Sequence, residues 1–333
     1  MMISRLRPDN FTLMLLGAVL LASVLPVQGR AEVGFEWLTH AAIALLFFLH
    51  GAKLSREAII AGALHWRLHL LVFAVTFAAF PLFGLALKPL LSPLVTDNLY
   101  LGVLYLCALP ATVQSAIALT SVARGNIPAA ICSASASTLL GIFITPVLVE
   151  GMLGATGGGG SVLDSIVAIL LQLMLPFVLG QLCRPLIAQR LARHPKLLKV
   201  VDQGSILLVV YTAFSDSVNE GLWQHTPWTA LAGLLVICAV LLTLSLTTTM
   251  QLSRRLGFSK EDEITVVFCG SKKSLASGVP MAKVLFPDAT VGAILLPIML
   301  FHQMQLIVGA VLAQRYASRQ PPSAKGSSRN SGN

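Results

Sequence analysis

Apolar stretches follow one another along this chain, parted by short polar ones, with a period that suits long helices. A membrane crossing takes roughly 20 mostly apolar residues. Ten stretches qualify: Phe11–Val27, Trp37–Leu54, Leu68–Leu87, Leu99–Val122, Ile127–Met152, Val162–Leu186, Gly204–Val218, Trp228–Leu252, Ile264–Val284 and Thr290–Arg315. The second and seventh are short. The first follows Arg5 and Arg7 as a signal peptide would, but so many spans come after it that it reads as a retained helix.

The polar stretches carry the orientation. Arg5 and Arg7, then Lys53, Arg56 and Arg67, then Arg124, then Arg184 to Lys199, then Arg254, Arg255 and Lys260, then Arg315 to Arg329 occupy alternate loops. The intervening loops hold Arg30, Lys88 and Lys283 among eight carboxylates. Positive charge marks the cytoplasmic side. Both termini are therefore expected in the cytoplasm, which requires an even number of crossings. Gly157-Gly158-Gly159-Gly160 divides the chain into residues 1–156 and 161–316, five spans each. Five is odd, so the second set is expected to sit inverted relative to the first. Residues 317–333 read as a disordered cytoplasmic tail. The expected fold class is thus all-α and polytopic, with ten transmembrane helices in two inverted five-helix repeats.

Composition agrees. Of 333 residues, 56% are hydrophobic and 11% charged, against about 25% charged in a soluble domain. The net charge of +9 is spread over short loops without interleaved aromatics, which excludes a nucleic-acid partner. Cys107, Cys132, Cys183, Cys238 and Cys269 all lie in apolar segments with no metal-binding spacing.

Two spans contain polar interruptions. Pro110 in the fourth lacks an amide hydrogen and should break or bend its helix, beside Thr112, Gln114 and Ser115. The ninth contains Gly270-Ser271-Lys272-Lys273-Ser274. Each lysine costs about 2.5–3.5 kcal/mol at mid-membrane on insertion scales. Each interrupted span is the fourth of its set, and corresponding interruptions point to a midplane binding site. The plain alternative is a proline kink and an unrelated polar patch. Two half-helix starts would add partial positive charge to that of the lysines. Ser133, Ser135, Ser137 and Thr138 of the fifth span and His302 and Gln303 of the tenth would face them. Such a cavity suits a carboxylate, sulfate or phosphate group. The spans offer almost no carboxylate for a hard cation, so at most a weak sodium site near Ser115 and Ser271 is expected. Adjacent helical lysines point about 100° apart, so one is expected to face the cavity and stay charged, and the other either to point to a neighbouring helix or to titrate.

Several motifs resemble the bile acid:sodium symporter superfamily. They are Arg124-Gly125-Asn126, Ser137-Thr138-Leu139, His50-Gly51-Ala52-Lys53-Leu54-Ser55 and Phe268-Cys269-Gly270-Ser271-Lys272-Lys273-Ser274-Leu275. The last two resemble its divergent SBF-like branch of bacterial proteins and the vertebrate seventh member of solute carrier family ten. The resemblance implies panel and core domains, with the fourth and ninth helices unwound and crossing where sodium and an organic anion bind. Ser115 matches the serine of the family's Ser-Asn pair, and Ala116 replaces the asparagine. Val267 stands where the family has its sodium-binding glutamate, and Ser271 and Lys272 stand where it has Gln-Asn. The main sodium ligand is thus absent, and a lysine ammonium is expected to take part of that role.

The implied protein is an inner-membrane secondary transporter of a small anionic solute, not an enzyme. It needs the lipid bilayer and no cofactor. Its coupling ion is left between sodium and proton, and its oligomeric state is left open. One rival is a regulator or sensor that keeps the fold and binds without transporting. Another, an intramembrane hydrolase using Ser271 or Ser274 with a lysine, fails because neighbouring helical residues do not face each other.

Overall fold

The computed structural model describes residues 10–53, 65–153 and 170–318. The glycine run at 157–160, the start of the sixth span and nearly all of the tail lie outside the described residues. The described chain is helical: α1 (Asn10–Val24), α2 (Arg30–Lys53), α3 (Trp66–Ala86), α4 (Asp97–Ala108), α5 (Gln114–Val122), α6 (Ile127–Leu153), α7 (Leu171–Arg193), α8 (Pro195–Asn219), α9 (Trp228–Arg255), α10 (Lys260–Gly270), α11 (Leu275–Leu285) and α12 (Asp288–Ala317). Seven of these, α2, α3, α6, α7, α8, α9 and α12, are long and apolar enough to cross a membrane.

The second and seventh spans are not short. Each helix runs on through polar residues that the apolar pattern left out, Arg30 to Glu36 in α2 and Pro195 to Gln203 in α8. The fourth and ninth spans are each two half-length helices, α4 with α5 and α10 with α11. Pro110 follows the end of α4, and Gly270 closes α10.

Two groups of helices pack side by side. In one, α2 lies along α7, and α8 against α1 and α2. Gly51 and Gly180 bring α2 and α7 together backbone to backbone. A Cβ on Gly51 would collide with the Phe177 carbonyl oxygen, and one on Gly180 with that of Phe48. Small residues at such crossings replace the hydrophobic drive that lipid removes. In the other group, α3, α6, α9 and α12 surround the four half-length helices. The groups meet chiefly where α8 runs along α12 and α11.

One turn of α3, Val75–Ala79, is widened to π geometry. Pro81 explains it: a helical proline offers no N–H and crowds the preceding turn. The Phe80 N–H reaches back five residues to Val75 O. Pro81, five residues on from Thr76, cannot serve the Thr76 carbonyl in the same way.

Candidate functional site

The two interruptions touch. The Ser274 N–H, at the start of α11, donates to the Pro110 carbonyl at 2.9 Å. The first interruption is held by α6. The Ala111 N–H donates to Ser137 Oγ at 3.0 Å, and Thr145 Oγ1 donates to Ala108 O at 2.9 Å. Gly141 lies against the Pro110 ring, where an added Cβ would fall 2.6 Å from Pro110 Cβ. The second interruption is held by its own cap and by α12. Ser274 Oγ accepts from the Ser277 N–H at 3.2 Å, capping α11. Gln305 clamps the Lys273 peptide from both sides: its Oε1 accepts from Lys273 N at 2.9 Å, and its Nε2 donates to Lys273 O at 2.9 Å.

Lys272 and Lys273 are each 1% exposed, and their side chains part in different directions. Lys273 Nζ donates to Thr76 O, Cys107 O and Leu109 O, each at 2.8 Å, and sits 4.1 Å from the centre of the Phe80 ring. Each of these carbonyls is released by an irregularity. The π turn and Pro81 release Thr76 O. The end of α4 at Pro110 releases Cys107 O and Leu109 O, since the Ala111 N–H that would serve Cys107 is taken by Ser137. Three acceptors match the three N–H bonds of an ammonium. The C-terminal end of α4 adds its partial negative charge, and the ring face adds a cation–π contact.

Lys272 Nζ is held less fully. It donates to Gln305 O at 3.0 Å and lies 5.8 Å from the centre of the Phe268 ring.

The other sequence-predicted residues divide. Ser271 is buried beside the lysines, its hydroxyl donating to Val267 O at 2.6 Å. Ser115 Oγ donates to Thr112 Oγ1 at 3.1 Å at the start of α5, where Gln114 is exposed. His302 is half-buried, and its Nδ1 accepts from Gln305 Nε2 at 3.1 Å. Gln303 is half-buried. Along α6, Ser137 alone of the four hydroxyls is bonded to the interrupted backbone. Ser133 bonds His69 of α3, Thr138 bonds back to Ala134 O at 3.1 Å, and Ser135 is half-buried. Among the described residues, no three His, Cys, Asp or Glu side chains are grouped to hold a metal. Sequence reasoning missed Thr76, Cys107, Leu109 and Phe80 as partners of Lys273. The signal for Thr76 was Pro81, five residues later.

Residues 9–318 match the SBF-like CPA transporter family (DUF4137). Uncharacterized protein PA2026 of Pseudomonas aeruginosa is 65% identical over 320 residues, covering 96% of each chain. The Escherichia coli K12 protein named Putative symporter YfeH is 56% identical over 308 residues, 92% of each chain. Sodium/bile acid cotransporter 7 of Mus musculus is 30% identical over 315 residues, 93% of this chain and 92% of its own.

Proposed function

The chain belongs to the SBF-like CPA transporter family, and on that footing we propose that it is a secondary transporter of a small anionic solute. It works by alternating access between the two helix groups, and Lys273 takes the place of a bound sodium ion. The reading includes a ten-pass, inverted-repeat topology. It counts α1 as a pass and each pair of half-length helices as one, with both termini in the cytoplasm of the inner membrane.

The observation that carries the proposal is the Lys273 ammonium in its three-carbonyl cradle. A cradle of released carbonyls at the meeting of two broken helices is a cation site, and here a side chain fills it. Lys272 keeps N–H bonds to spare, so it is the ammonium offered to the solute. The α11 amide end near Ser274 and the α5 end near Gln114 add positive potential. The exposed Gln114, next to half-buried Ser115 and near buried Thr112, marks the open side of the site.

Counterflow in proteoliposomes tests this, guided by a thermal-shift screen of the purified protein against anions with and without sodium. Bound solute raises the melting temperature. The expected result is exchange of an anion at equal rates with and without sodium. Lys272→Ala should weaken solute affinity, whereas Lys273→Ala should stop exchange. Binding without exchange would favour the sensor reading. Sodium-stimulated uptake that survives substitution of Lys273 would refute the tethered cation.

A further inference from the structure

A second charge cluster lies away from the lysine pair, on the seam between the two helix groups. Lys283, near the end of α11, is 6% exposed as a residue. Its Nζ lies 2.6 Å from Asp216 Oδ2 of α8 and 2.7 Å from Asp288 Oδ1 in the first turn of α12. Asp216 belongs to one helix group, Lys283 and Asp288 to the other. One residue on, Ser217 Oγ donates to Ala289 O at 3.0 Å and accepts from the Gly292 N–H at 2.9 Å. The same end of α8 is tied to its own group. Asn219 Nδ2 donates to Val27 O at 2.9 Å, and Gln28 Nε2 donates to Asn219 Oδ1 at 2.9 Å.

Three other ion pairs among the described residues differ in kind. Lys53–Asp202 joins α2 to α8 within one group. Arg254–Glu263 and Lys260–Glu263 join α9 to α10 and α10 to itself within the other. Burial along α8 is equally one-sided. Residues 195–204 are exposed or half-buried, whereas Ser205, Ile206, Val209, Val210, Ala213, Phe214, Ser215 and Ser217 are buried. The seam is therefore shut at the Asp216 end, which lies opposite the arginine- and lysine-rich loops.

We propose that Lys283 with Asp216 and Asp288 is an ionic latch that closes the outer end of this seam, and that it must part before the outer side can open. A cation shared between two carboxylates supports such a role. When the helix groups separate, Lys283 can remain paired with Asp288 on its own side, so the cation is not stranded, and Asp216 is left to the water that enters the parted seam. The inference rests on the two-group transport reading above.

The test uses the full chain in right-side-out membrane vesicles. Ala213→Cys places a thiol one turn from Ser217 on the same buried face, and labelling by a membrane-impermeant maleimide is compared with that of the parent protein. With the latch intact, labelling should stay near the parent background. Adding Asp216→Asn should raise it about tenfold by shifting the population toward the open seam. Lys283→Met, which breaks the same pair from the other side, should raise it alike. The charge swap Asp216→Lys with Lys283→Asp should return it toward background. Unchanged labelling in Asp216→Asn, a rise in only one of the two single variants, or a swap that stays open would each overturn the latch. Labelling needs no solute. A protein that transports but never labels rejects the latch alone, and one that labels as expected but carries nothing rejects transport alone.

Discussion

The two helix interruptions meet at one point but are built from opposite materials. The first, between α4 and α5, carries no charge and contributes carbonyls: Cys107, Leu109 and Pro110 all present oxygen. The second, between α10 and α11, contributes donors: two ammonium groups and the Ser274 amide. Lys273 and the Ser274 amide satisfy the carbonyls of the first interruption, while Lys272 turns to Gln305 O of α12. A chain that only broke α4 would bury unpaired carbonyls, and one that only broke α10 would bury unpaired charge. The pair teaches that a polar centre inside an apolar helical bundle can be assembled from two faults, neither of which is tolerable by itself.

The sharpest way to break that complementarity is Lys273→Met, which keeps the stem and removes the donors. Three carbonyls lose their partner at once. We expect uptake to fall to background and stability to drop by about 3–5 kcal/mol, read by proteoliposome uptake and by thermal unfolding in detergent. Loading the acceptor side comes next. Gly141→Val forces a branched side chain against the Pro110 ring and should cost about 1–3 kcal/mol, with the loss read in the same unfolding assay. Gln305→Leu releases the clamp on the Lys273 peptide, leaving a buried N–H and carbonyl unmet at about 1–3 kcal/mol. Because it also frees Lys273 to drift, transport should fall further than Gly141→Val reduces it at matched stability. The smallest effects compare the hydroxyls that hold each interruption. Ser274→Ala removes a helix cap worth about 1 kcal/mol, and Ser137→Ala removes the acceptor for Ala111 at about 0.5–1.5 kcal/mol. If the two interruptions act as one unit, the double variant should lose more or less than the sum of the singles.

The donor side of this site was legible in the sequence, and the acceptor side was not. Two lysines inside an apolar run stand out because charge in lipid is expensive. Pro110 stood out as a breaker, and Ser137, Ser271 and Ser274 were singled out and lie at the interruptions. Backbone carbonyls have no letter of their own. Thr76, Cys107 and Leu109 became partners through what their neighbours deny them, which requires knowing where α3 widens and where the Ala111 amide goes. Ser133 and Thr138 shared the composition of Ser137 but not its place: a helix turns about 100° per residue, so adjacent hydroxyls serve different neighbours. The apolar pattern located the helices and undercounted α2 and α8 where polar residues continue the helix beyond its apolar stretch.

The glycine crossing of α2 with α7 has a mechanical corollary. Where two backbones rest on each other with no side chains between them, neither can shear past its mate without first lifting away. On the two-group reading proposed above, that pair would travel as one riveted plank together with α1 and α8.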